Sequence, residues 1–166
     1  KNIIAVFKGK AEFGERALGN RSILADPRDE TMKDKINSMI KYREEYRPFA
    51  PSVIHEESHK YFEVPKNYEC FFMEKVIPVK ESFRDKLPAI THVDGTARLH
   101  TVKHEHNESF YGLLNEFKKI TSFPILLNTS FNTNGEPIVN TPNDALKTFS
   151  KSGLEYLVLN DFLIKK

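Results

Sequence analysis

Residues 12–28 constrain the fold most, because they set three arginines (Arg16, Arg21, Arg28) and two glycines (Gly14, Gly19) in one short stretch. Guanidinium groups stay charged and present a rigid fork of donors suited to phosphate and carboxylate. Glycine lets the backbone come close to a ligand. Such a stretch suits a buried core poorly. Residues 9–28 are therefore expected to form a loop that builds an anion site, and the apolar segments on either side must supply the scaffold.

Those segments mix strands and helices. Residues 3–7 read as a strand, and Asp26-Pro27 marks a turn. Residues 29–43 read as an amphipathic helix, with Met32, Ile36, Met39 and Ile40 at helical spacing. Pro48 and Pro51 bracket an extended link before a strand at Ser52-Val53-Ile54. Residues 71–79 read as a strand and residues 82–87 as a loop. Residues 89–93 and 97–102 flank Asp94-Gly95-Thr96, which is a hairpin signal. Phe110, Leu113, Leu114 and Phe117 share one face of a helix over residues 110–120. A buried strand at 124–128 and a turn at Asn134-Gly135 follow. Thr141 then caps a helix that has Pro142 at its first position. Residues 156–159 form the last expected strand. The fold class is α/β (α+β) with a mixed sheet, and residues 1–166 are expected to form one domain.

A chain of 166 residues can bury a full core without staples. Apolar residues make up 39% and charged residues 29%, the balance of a globular chain. No apolar run approaches the roughly 20 residues of a membrane span, and no leader peptide is visible. Lys1 in place of an initiator Met reads as a cut within a longer protein. The single cysteine, Cys70, excludes an internal disulfide and a thiolate cluster. It fits a reducing, cytoplasmic setting, and its apolar neighbours suggest a buried, inert thiol. Net charge is +2, and the basic residues alternate with acids, as in residues 28–35. That pattern argues against a nucleic-acid backbone track.

Lys41, Arg43, Ser130 and Asn132 are the next candidates. Two cations at a helix end, with a hydroxyl and an amide just past a buried strand, suit a nucleotide triphosphate or another polyanion. On spacing alone, the simpler reading is that Lys41 and Arg43 end a helix and complement its dipole. A P-loop is excluded, since Asn20-Arg21 stands where Lys-Ser/Thr is required. Arg98 reads as a ligand contact or as a solvent-facing strand residue. Arg21 and Arg28 either join the anion site or pin the loop to carboxylates such as Asp26. His92 beside Asp94 reads as a base or as a structural histidine. His104 and His106 lack a third metal ligand, so no metal-binding residue is assigned.

The chain resembles the C-terminal domain of the O-carbamoyltransferase family, the enzymes that modify antibiotics and nodulation factors. The matching stretches are residues 12–28, 32–37, 41–44, 47–52, 91–98, 127–132 and 135–145, nearly the whole chain. The resemblance implies a YrdC-like fold, an open twisted mixed sheet with helices around a basic cavity. YrdC-like domains carry Lys-x-Arg and Ser-x-Asn pairs in a nucleotide site, matched here by Lys41-Tyr42-Arg43 and Ser130-Phe131-Asn132. The resemblance implies that this domain handles carbamoyl phosphate and ATP, with Mg2+ on the nucleotide. Carbamoyl phosphate is cleaved to carbamate, which attacks the α-phosphate of ATP to give carbamoyl-adenylate and pyrophosphate. The adenylate then passes to an N-terminal kinase/chaperone-ATPase-like domain with an iron site, where a substrate hydroxyl is carbamoylated.

On this reading Arg16 and Arg98 hold carbamoyl phosphate, and Lys41 and Arg43 face the ATP phosphates. Ser130 and Asn132 bond the nucleotide, with Asn128, Thr91 and Asp94 as further contacts. The rival expectations are a YrdC-like RNA-binding module, a non-catalytic docking domain, and an adenylating enzyme of tRNA threonylcarbamoylation. Near-neutral charge opposes the first, and intact Lys-x-Arg and Ser-x-Asn pairs oppose the second.

Overall fold

Ile3, Ala5 and Phe7 enter one core while Val6 enters another. This is the period-two pattern of a strand buried on both faces. It recurs along the chain in the computed structural model, which describes residues 2–42 and 47–166. The elements are β1 (Ile3–Phe7), β2 (Arg21–Ala25), α1 (Met32–Ile36), β3 (Ala50–Ile54), α2 (Ser58–Tyr61), β4 (Lys75–Pro78) and α3 (Glu81–Arg84). They continue as β5 (Thr96–Val102), α4 (Glu108–Thr121), β6 (Ile125–Ser130), α5 (Pro142–Lys151), β7 (Tyr156–Leu159) and β8 (Phe162–Lys165).

The strands form one open mixed sheet in the order β4-β5-β3-β6-β2-β1-β7-β8. β1 runs parallel to β7 and β3 parallel to β5, and the other pairs are antiparallel. An α/β chain with an open mixed sheet and helices is the expected class.

The two faces of the sheet differ. One packs Ile23, Val53, Leu127 and Leu157 in a large core with Met32 and Ile36 of α1, and Ala145 and Phe149 of α5. On the other face α4 packs Phe110 and Leu114 with Val6, Leu24, Ile54, Val102 and Leu126. Strand alternation carries this second face past α4 onto Ser52, Arg98, His100, Asn128 and Ser130, so it turns from apolar to polar. The segment bearing Arg16 reaches this polar half, since Asn128 donates to the Ala17 carbonyl. Gly19 lets that segment pass α4. Its φ is +122°, and a Cβ there would lie 2.5 Å from Phe110 Cδ1.

Several expectations are corrected. Residues 9–28 are not all loop: Arg21–Ala25 is an interior strand with every residue buried. Arg21 disguised it. Its guanidinium lies 3.5 Å from the Phe7 ring centroid and donates to the carbonyls of Lys8, Asn20 and Gly9 at 2.9–3.0 Å.

The hairpin at Asp94-Gly95 does not form. Residues 89–93 run in turns, with Ala89 and Ile90 buried and Thr91 Oγ1 donating to the Leu87 carbonyl. β5 pairs with β3 and β4 instead. The strand expected over 71–79 shrinks to β4, the loop over 82–87 overlaps α3, and β8 follows the strand expected to be last. The helix over 29–43 begins at Met32 and widens into a π-turn, Asn37–Lys41. The Thr141 cap is present as a full capping box with Asp144.

Candidate anion-binding site

Lys41 closes the π-turn, a distortion frequent at functional positions. Its residue is 5% exposed. Its ammonium lies 2.6 Å from the Ser130 carbonyl, 3.2 Å from Ser130 Oγ, 3.1 Å from the Asn132 carbonyl and 2.7 Å from Asn132 Oδ1. Ser130 Oγ donates to Asn132 Oδ1 at 2.7 Å, and Asn132 Nδ2 donates to the Glu136 carbonyl at 2.6 Å. Lys41, Ser130 and Asn132, 89 and 91 residues apart in sequence, thus meet as one cluster. An ammonium has three hydrogens, so these four oxygens engage all of them. Arg43 lies outside the described residues.

Ser130 is also in the wall of a cleft of about 170 Å³ that includes Arg16, Arg47, Arg98 and Asn128. Arg16 pairs with Glu15 at 3.2 Å, but both side chains are substantially exposed (41% and 82%). Such a pair is weak and readily exchanged for another anion. The Arg98 side chain makes no hydrogen bond or ion pair among the described residues. Burial pushes its pKa below the usual guanidinium range, and the neighbouring Arg16 charge adds to that, opposed by Glu15. Three guanidinium groups on one small cleft, with the Arg98 side chain lacking an acceptor among the described residues, favour a bound dianion.

A wider groove of about 640 Å³ shares Glu15, Arg16, Met73 and Arg98 with this cleft and adds Phe13, Phe72 and Val76. Aromatic walls beside cationic ones suit a ligand with both a planar ring and phosphates.

Beneath the cleft runs a buried polar chain. Asn128 Nδ2 bonds Ser52 Oγ at 2.9 Å, and Ser52 Oγ lies 2.7 Å from His100 Nδ1. Burial holds the His100 pKa down at about 3, so the ring is neutral at physiological pH. Ser52 and His100 were not among the sequence candidates. The signal was there: His100 is two residues from Arg98 on one strand, so the two share a face.

Thr91 and Asp94 sit apart, at the turn into β5. Asp94 accepts from the Thr96 amide and hydroxyl, and the Thr91 carbonyl accepts from Lys33 Nζ. His92 Nδ1 lies 3.2 Å from Thr96 Oγ1. Arg28 forks onto Asp26 through Nε and Nη2 at 2.9 and 2.6 Å, so it pins the chain as one of the two readings expected. Cys70 is buried, and desolvation pushes its thiol pKa up to about 11, the inert state its context suggested. Among the described residues no helix is long and apolar enough to cross a membrane.

The model of the family described as "Carbamoyltransferase C-terminus" matches residues 1–166. Nodulation protein NolNO of Sinorhizobium fredii is 54% identical over 165 residues, which cover 99% of this chain and 24% of that protein. Nodulation protein NolO of Bradyrhizobium diazoefficiens is 52% identical over 165 residues, 99% of this chain and 30% of that protein. The 3'-hydroxymethylcephem-O-carbamoyltransferase of Amycolatopsis lactamdurans is 38% identical over 159 residues, 96% of this chain and 30% of the enzyme. The chain thus spans between about a quarter and a third of the length of these relatives. By the match over its whole length and these identities, the chain belongs to the carbamoyltransferase C-terminus family.

Proposed function

We propose that this chain forms the carbamoyl-activating part of an O-carbamoyltransferase that acts in the cytoplasm. The observation that carries the reading is the Arg16–Arg98 pair on one small cleft, with the Lys41–Ser130–Asn132 cluster at its edge. Carbamoyl phosphate occupies the cleft, its phosphate forked by Arg16 and Arg98. Its hydrolysis consumes water and gives carbamate and phosphate. A carbamate oxygen then attacks the α-phosphorus of ATP, and the bond to the bridging oxygen of pyrophosphate breaks. The products are carbamoyl-adenylate and pyrophosphate.

Each reactant is an anion, so their approach requires fixed positive charge in a small, water-poor space. The cleft supplies this through the arginines. The resemblance assigns Lys41 and Arg43 to the ATP phosphates, Lys41 through its charge, since its hydrogens are engaged by Ser130 and Asn132. Lys41 also locks Ser130 and Asn132 into the orientation in which they meet the nucleotide. The wider groove with Phe13 and Phe72 has room for the nucleoside.

Among the described residues no group of three or more His, Cys, Asp or Glu side chains is arranged to hold a metal ion. Mg2+ accompanies ATP through its phosphate oxygens and water. The iron site, and the hydroxyl acceptor, belong to the N-terminal kinase/chaperone-ATPase-like partner domain.

Calorimetric titration with MgATP, with and without carbamoyl phosphate, followed by a pyrophosphate-release assay, tests the reading. Binding of both with release is expected. Failure to bind either ligand contradicts it. Lys41→Ala is expected to weaken MgATP binding severely while the protein stays folded, and unchanged affinity removes Lys41 from the site.

A further inference from the structure

Asn128 is 1% exposed and is part of the cleft wall. Its amide is fixed on one side only. Nδ2 donates one hydrogen to the Ala17 carbonyl at 3.1 Å and the other to Ser52 Oγ at 2.9 Å. Ser52 Oγ, having accepted, turns its own proton to His100 Nδ1 at 2.7 Å. His100 is neutral and buried, so it serves as the acceptor that ends this chain. A carbonyl oxygen at Ala17 can only accept, so the amide cannot be turned round. Both amide hydrogens are engaged, and Asn128 Oδ1 is left buried without a partner. A buried amide oxygen with no donor is costly and calls for an explanation.

Resting on the carbamoyl phosphate reading above, we propose that Asn128 Oδ1 accepts a hydrogen bond from the amino group of carbamoyl phosphate while Arg16 and Arg98 hold the phosphate. Asn128 is then the residue that distinguishes a carbamoyl donor from an acyl phosphate with no N–H. A ligand of the same charge and closely similar shape but with a methyl in that place leaves Oδ1 facing an apolar group and forfeits the bond. Selection by a missing hydrogen bond at a buried acceptor is stronger than selection by a missing methylene. Ser52 and His100 are positioning residues, since they act through the Asn128 amide.

The test compares carbamoyl phosphate with acetyl phosphate, in which a methyl replaces the amino group, by calorimetric titration of the wild-type protein and of Asn128→Leu. The wild type is expected to bind carbamoyl phosphate at least about tenfold more tightly, the order of one hydrogen bond to a buried partner. Asn128→Leu is expected to bring that ratio to within about twofold of unity. A loss common to both ligands in this variant measures only the support Asn128 gives to the Arg16 segment. A wild type that binds the two ligands equally overturns the assignment, and so does a variant that keeps the full ratio. If the variant does not fold, equal binding of the two ligands by the wild type still overturns the assignment. Binding of neither ligand by the wild type refutes the carbamoyl phosphate reading itself, and the role of Asn128 with it.

Discussion

Arg21 and Arg16 lie five residues apart in the same segment, yet one is structural and the other is available to a ligand. Arg21 is buried in β2, covers the Phe7 ring and donates to three backbone carbonyls. Arg28 is likewise engaged by a fork onto Asp26. Arg16 has one exposed partner, Glu15, and Arg98, which shares its cleft, has none among the described residues. Arginine content alone marks a segment as anion-seeking, and the fold decides which guanidinium groups keep donors for an external anion. Bonding to several backbone carbonyls marks a brace. A pair of like charges with idle donors marks a site.

The contrast can be broken at either end. Arg98→Gln is expected to have the largest effect, a loss of about 30–100-fold in carbamoyl phosphate affinity, with little change in melting temperature. A variant that binds normally removes Arg98 from the site. Arg21→Met should do the reverse. It strands three carbonyl acceptors and removes the contact with Phe7, so denaturant unfolding should show about 2 kcal/mol of destabilisation. Its carbamoyl phosphate affinity should stay as in the wild type.

Acid sharpens the role of the buried layer under the cleft. The His100 pKa is about 3 in the folded protein, against 6.5 ordinarily. Between these values the unfolded chain binds the extra proton, so stability is complete above about pH 6.5 and falls as pH drops toward 3. The slope from this group is at most about 1.4 kcal/mol per pH unit. Urea midpoints across that range should flatten in His100→Asn, and an unchanged acid limb would deny the histidine this part. Arg28→Ala should have the smallest effect. Its bidentate bond to Asp26 is partly solvated (31% and 9% exposed side chains), so a cost of about 1 kcal/mol or less is expected, with no change in binding.

Much of the site was legible because it rests on local signals. Thr141 and Pro142 announce their helix, the apolar stripe of α4 announces its face, and the Ser130-Phe131-Asn132 spacing holds on any strand end. The meeting of Lys41 with Ser130 and Asn132 was carried by resemblance rather than by pattern, since nothing local joins positions so distant in sequence. β2 was hidden because Arg21 is solvated by carbonyls from outside its own strand, a bond set visible only after folding. The Asp94-Gly95 turn was real, with Gly95 at φ +79°, but its flanks did not pair. Ala89 and Ile90 are drawn into the core, and β5 finds a parallel partner in β3. The Arg98–His100 spacing was readable along one strand, but the bonds of the Asn128–Ser52–His100 chain were not, as its members come from three strands that are neighbours only in the sheet.

The most direct test is a titration of carbamoyl phosphate into three folded proteins: the wild type, Arg21→Met, and the Arg16→Gln/Arg98→Gln double variant. Binding by the first two and its loss in the third is the expected result. Equal binding by all three, or binding lost in Arg21→Met and kept in the double variant, would show that the cleft between Arg16 and Arg98 is not where the anion is held.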